Sequence, residues 1–289
     1  MHRSSNALKT VFLLSVLSAI FLIGGEALGG RMGLYYGLGF AVITNFISYF
    51  FSDKIALMMT GARPLIPEEF PQEYRRVAPI VERLCQRMGL PIPRLFITPE
   101  ESPNAFATGR DPRHSALAFT AGILQVMSDD ELEGVIAHEL GHVLHRDILI
   151  SSIAATLAAA ITALARMAFW FGMGGRRDNE ERGNPIAAMA MLILAPIAAI
   201  LIQMAISRTR EYDADAASAK YTGNPNQLIR ALQKLDNFAH QIPMSANPAT
   251  AHMYIIQPFT GESLMHLFST HPKTEERIRR LEQLTGIGY

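Results

Sequence analysis

Cysteine and charge are both scarce in this sequence. Cys85 is the only cysteine among 289 residues, so no internal disulfide can form, and a buried, inert thiol is the expected state of its side chain. Charged residues make up 18% of the chain, below the quarter or so that is usual in soluble domains, and the net charge is zero. The neutral balance gives no sign of nucleic-acid binding or of an acidic substrate. The missing charge points to membrane segments.

Long apolar runs account for the shortage of charge. The runs are Thr10 to Ile23, Met32 to Phe51, Ile148 to about Gly174, and Pro185 to Ile206. Because a helix needs about 20 residues to cross the hydrocarbon layer, they predict four transmembrane helices. The first run begins like a signal peptide, but it lacks a convincing cleavage site and the second run follows almost at once. The first two runs therefore predict a helical hairpin that turns at Gly29-Gly30.

The four runs divide the chain into membrane and polar parts. Four spans place both termini on the same side of the bilayer as residues 52–147 and 207–289. That side carries more lysine and arginine close to the membrane than the opposite loops, so the positive-inside rule places it in the cytoplasm. We therefore expect transmembrane hairpins at 1–51 and 148–206 between cytoplasmic parts. The alternative is that the third and fourth runs are core helices of a soluble all-α domain.

The polar parts predict a mainly α-helical fold with a small β-sheet. Ser128 and Glu131 form a capping box, which starts a helix that runs to about Arg146. Apolar periodicity, strand-forming residues and glycine or proline boundaries predict the other elements. These are helices at Glu68 to Leu90, after Ile206 to Ala219, Gln227 to about Ala239 and Lys273 to Leu284, strands at 94–98, 104–109 and 115–120, and a loop at Ala246 to Gly261.

The run His138-Glu139-Leu140-Gly141-His142 lies inside the capped helix. Histidines four residues apart stack on one helical face and point at one metal ion. Glu139 lies beside that face, where it can take a proton from a water molecule that the metal polarises. Zinc lowers the pKa of bound water to about 7, so hydroxide is available at neutral pH. The run therefore predicts one catalytic zinc ion per chain.

A catalytic zinc needs a third protein ligand. Ile148 occupies the position six residues after the second histidine, and His145 lies about 10 Å along the helix from the first. After the fourth apolar run, Glu211 and Asp215 share one helical face on the same side of the membrane. We assign Glu211 as the third ligand and Asp215 as the acceptor that orients a ligand histidine. Two alternatives stay open, namely Asp213 as the ligand and an ion pair between Glu211 and a neighbouring arginine.

The metal motif lies close to a predicted span. His142 is about six residues, or about 9 Å, from the start of the third apolar run. The zinc ion is therefore expected close to the membrane surface. A protease built in this way would meet membrane-bound chains or their near-membrane segments.

Several stretches together resemble one protease family. They are Ser102 to Gly109, His138 to His142 with Asp147 beyond, Ser207 to Asp215, and Thr270-His271-Pro272. The chain is similar to the HtpX family of bacterial inner-membrane heat-shock proteases, and more distantly to the CAAX prenyl endopeptidases. The resemblance implies a gluzincin-like zinc endopeptidase with His138, His142 and Glu211 as ligands and Glu139 as base. It also implies quality control of membrane proteins from the cytoplasmic side.

The resemblance implies roles for further residues. Asn104 and Ala105 would lie on an edge strand that pairs with an extended substrate, although Asn104 could equally be an ordinary turn residue. His271 would steady the oxyanion of the reaction, or else simply precede Pro272 at the start of a helix. The chain departs from the family in its short loop at 175–183, which leaves little mass on the far side for a sensing domain.

Three other functions compete with the protease. A catalytically silent relative could bind misfolded membrane chains as a scaffold, but Glu139 and the ligands are all present. A transporter or channel usually carries ionisable residues deep in its spans, whereas Arg166 is the one charge there and lies near an end. A CAAX-type processing enzyme has more spans than the four expected here. The expected partners are therefore the lipid bilayer and membrane-protein substrates in extended conformation.

Overall fold

The computed structural model describes residues 2–154, 156, 208–241, 254–255 and 272–285. Most of the third apolar run, the whole of the fourth and His271 lie outside the described residues. The described part is mostly helical and carries one small mixed sheet, as the sequence predicts. Helices and strands are numbered below in chain order within this part.

The N-terminal residues form a tightly packed helical hairpin. Helix α1 (His2–Phe50) is broken at Gly29 and Gly30, whose backbone is not helical, and Gly30 has a positive φ of 55°. The predicted turn lies at this break. The two arms touch backbone to backbone, because a Cβ on Gly25 would lie 2.3 Å from the carbonyl oxygen of Gly33. Small residues of this kind allow close helix packing in membranes.

No described helix is by itself long and apolar enough to cross a bilayer. The second arm of α1, Gly29–Phe50, meets the length and composition of a span when it is taken together with helix α2 (Ser52–Met59), from which it is bent by 76°. The apolar part of the first arm, Thr10–Glu26, is shorter.

Helix α3 (Pro71–Met88) begins three residues after the predicted start. Pro71 has no backbone N–H to leave unpaired and therefore suits the first helical turn. Gly89, with a φ of 65°, ends the helix in the left-handed conformation that glycine adopts without strain. The buried face of α3 packs into the main core of the polar part.

The sheet has four strands in the order β1-β2-β4-β3. The strands are β1 (Arg63–Pro64), β2 (Arg94–Thr98), β3 (Ala105–Gly109) and β4 (Ser115–Thr120). Strand β2 pairs parallel with β4, and the other two pairings are antiparallel. The three predicted strands are confirmed to within one residue, whereas β1 is too short to leave a sequence signal. Strand β3 forms one edge of the sheet, which places its outer side next to the metal motif.

Helix α5 (Asp129–His145) lies at the centre of the polar part. Its predicted capping box is confirmed, since Ser128 and Glu131 exchange both hydrogen bonds at its start. The other described helices of this region are α4 (Ala121–Val126), α6 (Arg208–Thr222), α7 (Pro225–Gln241) and α8 (Thr274–Thr285), with a 3-10 turn at Pro112–His114 and helical residues at 148–154. Helix α5 contacts α3, α6, α7 and β3.

Two glycines on α5 bring its neighbours unusually close. A Cβ on Gly141 would lie 3.0 Å from the Cα of Ala214 on α6, and one on Gly134 would lie 2.7 Å from the backbone nitrogen of Leu228 on α7. Carbon atoms in ordinary contact are about 3.5–4.0 Å apart. Glycine at position 141 therefore lets α6 approach the metal motif closely enough for its acidic side chains to reach the histidines.

Candidate metal centre

Three side chains from two helices converge on one point. They are His138 and His142 of α5 and Glu211 of α6, and one donor atom from each lies within 4.8 Å of the others. The two Nε2 atoms are 3.3 Å apart, and the Glu211 carboxylate oxygens lie 3.6 Å from His138 Nε2 and 3.7 Å from His142 Nε2. Bonds of about 2.0–2.1 Å in a tetrahedral zinc site place its ligand atoms about 3.3 Å apart. The donor set and its spacing therefore fit such an ion.

His138 is held in the form that binds a metal. Its ring is fully buried, and its Nδ1 lies 2.9 Å from Asp215 Oδ1, so that Nε2 faces the centre. Burial lowers the pKa of His138 to about 4, in spite of the hydrogen bond to Asp215, and the imidazole is therefore neutral. Burial alone would raise the pKa of Asp215, but the charge of Arg277 and the hydrogen bond from His138 hold it below its ordinary value.

Arg277 is a site residue that the sequence reasoning missed. It lies on α8, is 1% exposed, and binds Asp215 through two hydrogen bonds of 2.7 and 2.9 Å. Burial lowers the pKa of Arg277, but the charge and hydrogen bond of Asp215, together with the charges of Glu211 and Glu139, raise it, so the guanidinium stays charged. A signal was present in the sequence. Arg277 shares the apolar face of α8 with Leu281 and Leu284, where a charge requires a buried partner.

The second histidine has its own carboxylate. Asp147 Oδ2 lies 3.5 Å from His142 Nδ1, and Arg210 Nη1 lies 3.9 Å from Asp147 Oδ1. Burial would lower the pKa of His142, but Glu211 and Asp147 raise it to about 9. A metal ion must displace that proton, since only neutral imidazole coordinates. The resemblance includes Asp147 without giving it a role, and the structure places it beside a ligand.

Glu139 lies between the metal centre and the sheet. Its side chain is buried and accepts a hydrogen bond from the backbone N–H of Ala107 on β3. Burial raises the pKa of Glu139, His142 opposes this and Glu211 reinforces it, so that the pKa lies at about 8. A carboxyl group whose pKa lies near neutrality can both accept and return a proton.

Asn104 and Ala105 lie where β3 begins, at the outer edge of the sheet. Asn104 is buried, and its backbone N–H donates to Thr120 Oγ1 over 2.8 Å. Its side-chain oxygen and the Ala105 carbonyl both accept from the backbone N–H of Ile255. The structure therefore brings Asn104 and Ala105 to the same side of the sheet as Glu139.

The geometry bears on both alternatives for the third ligand. The group of ligand atoms in the described residues contains Glu211 and not Asp213. Arg277 Nη1 of α8 is 3.8 Å from Glu211 Oε2, and the charge of the neighbouring Arg210 also interacts with Glu211. His271, which is expected to steady the oxyanion, lies outside the described residues, six positions before Arg277.

Known proteins share this sequence and fold. The pattern of peptidase family M48 matches residues 71–285. Among curated relatives, a protease HtpX homolog of Sulfurihydrogenibium is 52% identical and the match covers 99% of this chain and 100% of the relative. Others from Desulforapulum autotrophicum and Ralstonia pickettii are 50% identical over 98% of this chain, and the matches cover 91% and 98% of the relatives.

One solved structure shows a similar fold. The crystal structure of S. mikatae Ste24p superposes with a TM-score of 0.52 at 20% identity, covering 97% of this chain and 66% of that protein. At that identity the similarity concerns the fold alone. The sequence matches disfavour the silent scaffold, because the relatives are proteases and the residues of the centre are all in place. The chain belongs to peptidase family M48 and to its HtpX proteases, and it is a membrane metalloprotease.

Proposed function

We propose that His138, His142 and Glu211 hold one zinc ion and that the enzyme uses it to hydrolyse peptide bonds in misfolded or damaged membrane proteins. The observation that carries this proposal is the convergence of two imidazoles and one carboxylate at tetrahedral spacing, with Glu139 beside them. A zinc ion bound there would polarise the attacked carbonyl and make a water molecule acidic enough to act as the nucleophile.

Glu139 is the proposed general base and acid. Its carboxylate takes the proton of the attacking water and returns it to the nitrogen of the broken peptide bond. The hydrogen bond from Ala107 fixes the carboxylate against β3, and burial sets its pKa near neutrality. Asp215 keeps His138 in the correct tautomer, since it accepts the Nδ1 proton.

Strand β3 is the proposed platform for the substrate. Its outer edge begins at Asn104 and Ala105 and passes directly beside Glu139. An extended peptide that pairs with this edge gains affinity from backbone hydrogen bonds and needs little side-chain selectivity. Such binding suits unfolded segments, because folded proteins keep their backbone groups paired internally.

We further propose that the enzyme spans a bacterial inner membrane four times, with its termini and the metal centre in the cytoplasm. The two transmembrane hairpins would comprise residues 1–51 and 148–206, and the cytoplasmic parts would be residues 52–147 and 207–289. Helical residues 148–154 start directly after α5, which supports a centre close to the bilayer. The hairpin also exposes large apolar side chains, including Val11, Phe12, Ile23, Phe40, Val42 and Ile43.

His271 keeps its proposed role in steadying the oxyanion. The support is the resemblance together with its sequence position, since it precedes by six residues the Arg277 that reaches the centre. Histidine as a hydrogen-bond donor to the developing negative charge is a common form of such stabilisation.

Proteolysis of unfolded casein by detergent-purified protein tests the function. Wild type should cleave, a chelator should abolish cleavage, and added zinc should restore it. Glu139→Ala should be inactive in all three conditions while it still binds zinc. Glu133→Ala, a change at a residue of α5 outside the centre, provides the matched control and should cleave like wild type.

Two results would overturn the proposal. Cleavage that persists in Glu139→Ala would show that another group acts as base. Cleavage that survives complete removal of metal would show that the centre does not serve the reaction.

A further inference from the structure

One residue of the chain itself lies on the outer edge of β3. The backbone N–H of Ile255 donates to the Ala105 carbonyl over 3.3 Å and to Asn104 Oδ1 over 3.0 Å. Its carbonyl accepts from Arg277 Nη1 over 2.8 Å. The N–H of Ile255 thus pairs with the strand edge as that of an added strand residue would, while its carbonyl is bound by a side chain.

The neighbouring side chain strengthens this contact. Tyr254 is 3% exposed and packs edge-to-face against Phe106, with ring centroids 5.4 Å apart and an interplanar angle of 82°. An aromatic pair of this kind adds to the burial of the rings. The segment is therefore held by backbone hydrogen bonds at the strand edge, by the ring contact of Tyr254 and by the side chain of Ile255, which is 1% exposed and packs in the main core.

The place that Ile255 occupies borders the metal centre. Ala105 and Ala107 are two residues apart on β3, so their backbone groups point to the same edge. Ala105 binds Ile255 there, and Ala107 binds Glu139. Arg277 joins the two regions, because its Nη1 donates to Ile255 and lies 3.8 Å from Glu211. A peptide paired along this edge and reaching Glu139 would meet Ile255.

We infer that the backbone of Ile255 occupies the place of one substrate residue. The inference rests on the proposed function and deepens it. The carbonyl of Ile255 accepts from Arg277, whose Nε and Nη2 are held by Asp215, and its N–H donates to Asn104 and Ala105.

A consequence is that the chain competes with its own substrate. Ile255 must leave before a peptide can pair at that position, so peptide affinity is reduced by the fraction of enzyme in which the place is filled. Weakening the contacts that hold residues 254–255 should therefore improve substrate binding and leave the rate of the chemical step unchanged.

Amide hydrogen exchange tests the displacement directly. Full-length, zinc-loaded Glu139→Gln, which should bind but not cleave, is compared with and without an excess of a short unstructured casein peptide. The inference requires faster exchange in the fragment that contains Ile255 when the peptide is present, since its N–H loses both acceptors. Unchanged or slower exchange would overturn it, because Ile255 would then be a fixed part of the fold.

Kinetics of Tyr254→Ala gives a second readout on the active enzyme. The KM for the peptide should fall about three- to tenfold with kcat unchanged, the factor that one aromatic pair contributes. Tyr74→Ala, a partly buried tyrosine of the main core, should leave KM at the wild-type value. A KM that stays constant or rises in Tyr254→Ala would contradict the inference.

Failure of the proposed function has a different outcome. In that case no variant cleaves casein with zinc present, whatever the exchange at Ile255. Cleavage by wild type together with unchanged exchange would leave the protease intact and overturn the inference alone.

Discussion

Replacing Gly141 by alanine should weaken zinc binding through the position of α6. The new Cβ would lie 3.0 Å from the Cα of Ala214 and 3.2 Å from the Cβ of Ala217. Because ordinary carbon contacts are longer, α6 must retreat by a few tenths of an ångström. Metal sites tolerate distance errors of about 0.2 Å. Glu211, which lies on α6 three residues before Ala214, would therefore be carried out of ligand range.

The change in stability should be smaller than the change in zinc affinity. Overpacking a core contact costs about 1–3 kcal/mol. Alanine in place of glycine within a helix returns about 1 kcal/mol. The metal-free Gly141→Ala protein should therefore unfold with a free energy at most about 2 kcal/mol below wild type, while its zinc dissociation constant should rise at least about tenfold.

Gly134→Ala provides the matched control. Its Cβ would lie 2.7 Å from the backbone nitrogen of Leu228, on α7, which carries none of the ligand residues. This variant should lose at least as much stability as Gly141→Ala and keep its zinc affinity. Competition against a fluorescent chelator measures the affinity, and thermal unfolding of the metal-free proteins measures the stability. Equal loss of zinc affinity in both variants would refute the reasoning, since affinity would then follow general packing.

Three further predictions concern the surroundings of the centre. Asp215→Asn should weaken zinc binding about 10- to 100-fold, as measured by chelator competition, and destabilise the protein by about 3–5 kcal/mol because Arg277 keeps a buried charge without its partner. Ser128→Ala should lower the free energy of unfolding by about 1 kcal/mol through loss of the cap, with zinc affinity unchanged. Burial raises the pKa of Cys85 from 9.0 to about 11, so iodoacetamide should modify the native thiol at least about 100-fold more slowly than in denaturant, as followed by mass spectrometry.

The features of this site that depend on residues close together in the chain could be predicted from the sequence. The capping box at Ser128 and the spacing of the two histidines depend on residues three or four positions apart, and both are present as predicted. Glu211 and Asp215 could be placed because they too lie one helical turn apart on a single face. Periodicity and caps of this kind state which residues share a face without any knowledge of the fold.

Contacts between residues far apart in the chain could not be predicted from the sequence. Arg277 reaches Asp215 across 62 positions of sequence, and Ile255 reaches Asn104 across 151 positions. Nothing local distinguishes Ile255 from any other residue of the predicted loop, and strand β1 is two residues long. The pairing of such groups is decided by tertiary packing, which the pattern of one segment does not contain. Arg277 is the exception, because its charge on an apolar helical face is a signal that the sequence does contain.

The most direct test of the central claim pairs zinc content with peptide cleavage in three proteins. Wild type should carry one zinc per chain and cleave. Glu139→Gln should keep the zinc and lose cleavage, and Glu211→Gln should lose both, because it removes the third ligand of a three-ligand centre. A Glu211→Gln protein that retains one zinc and cleaves like wild type would contradict the claim that His138, His142 and Glu211 form the catalytic centre.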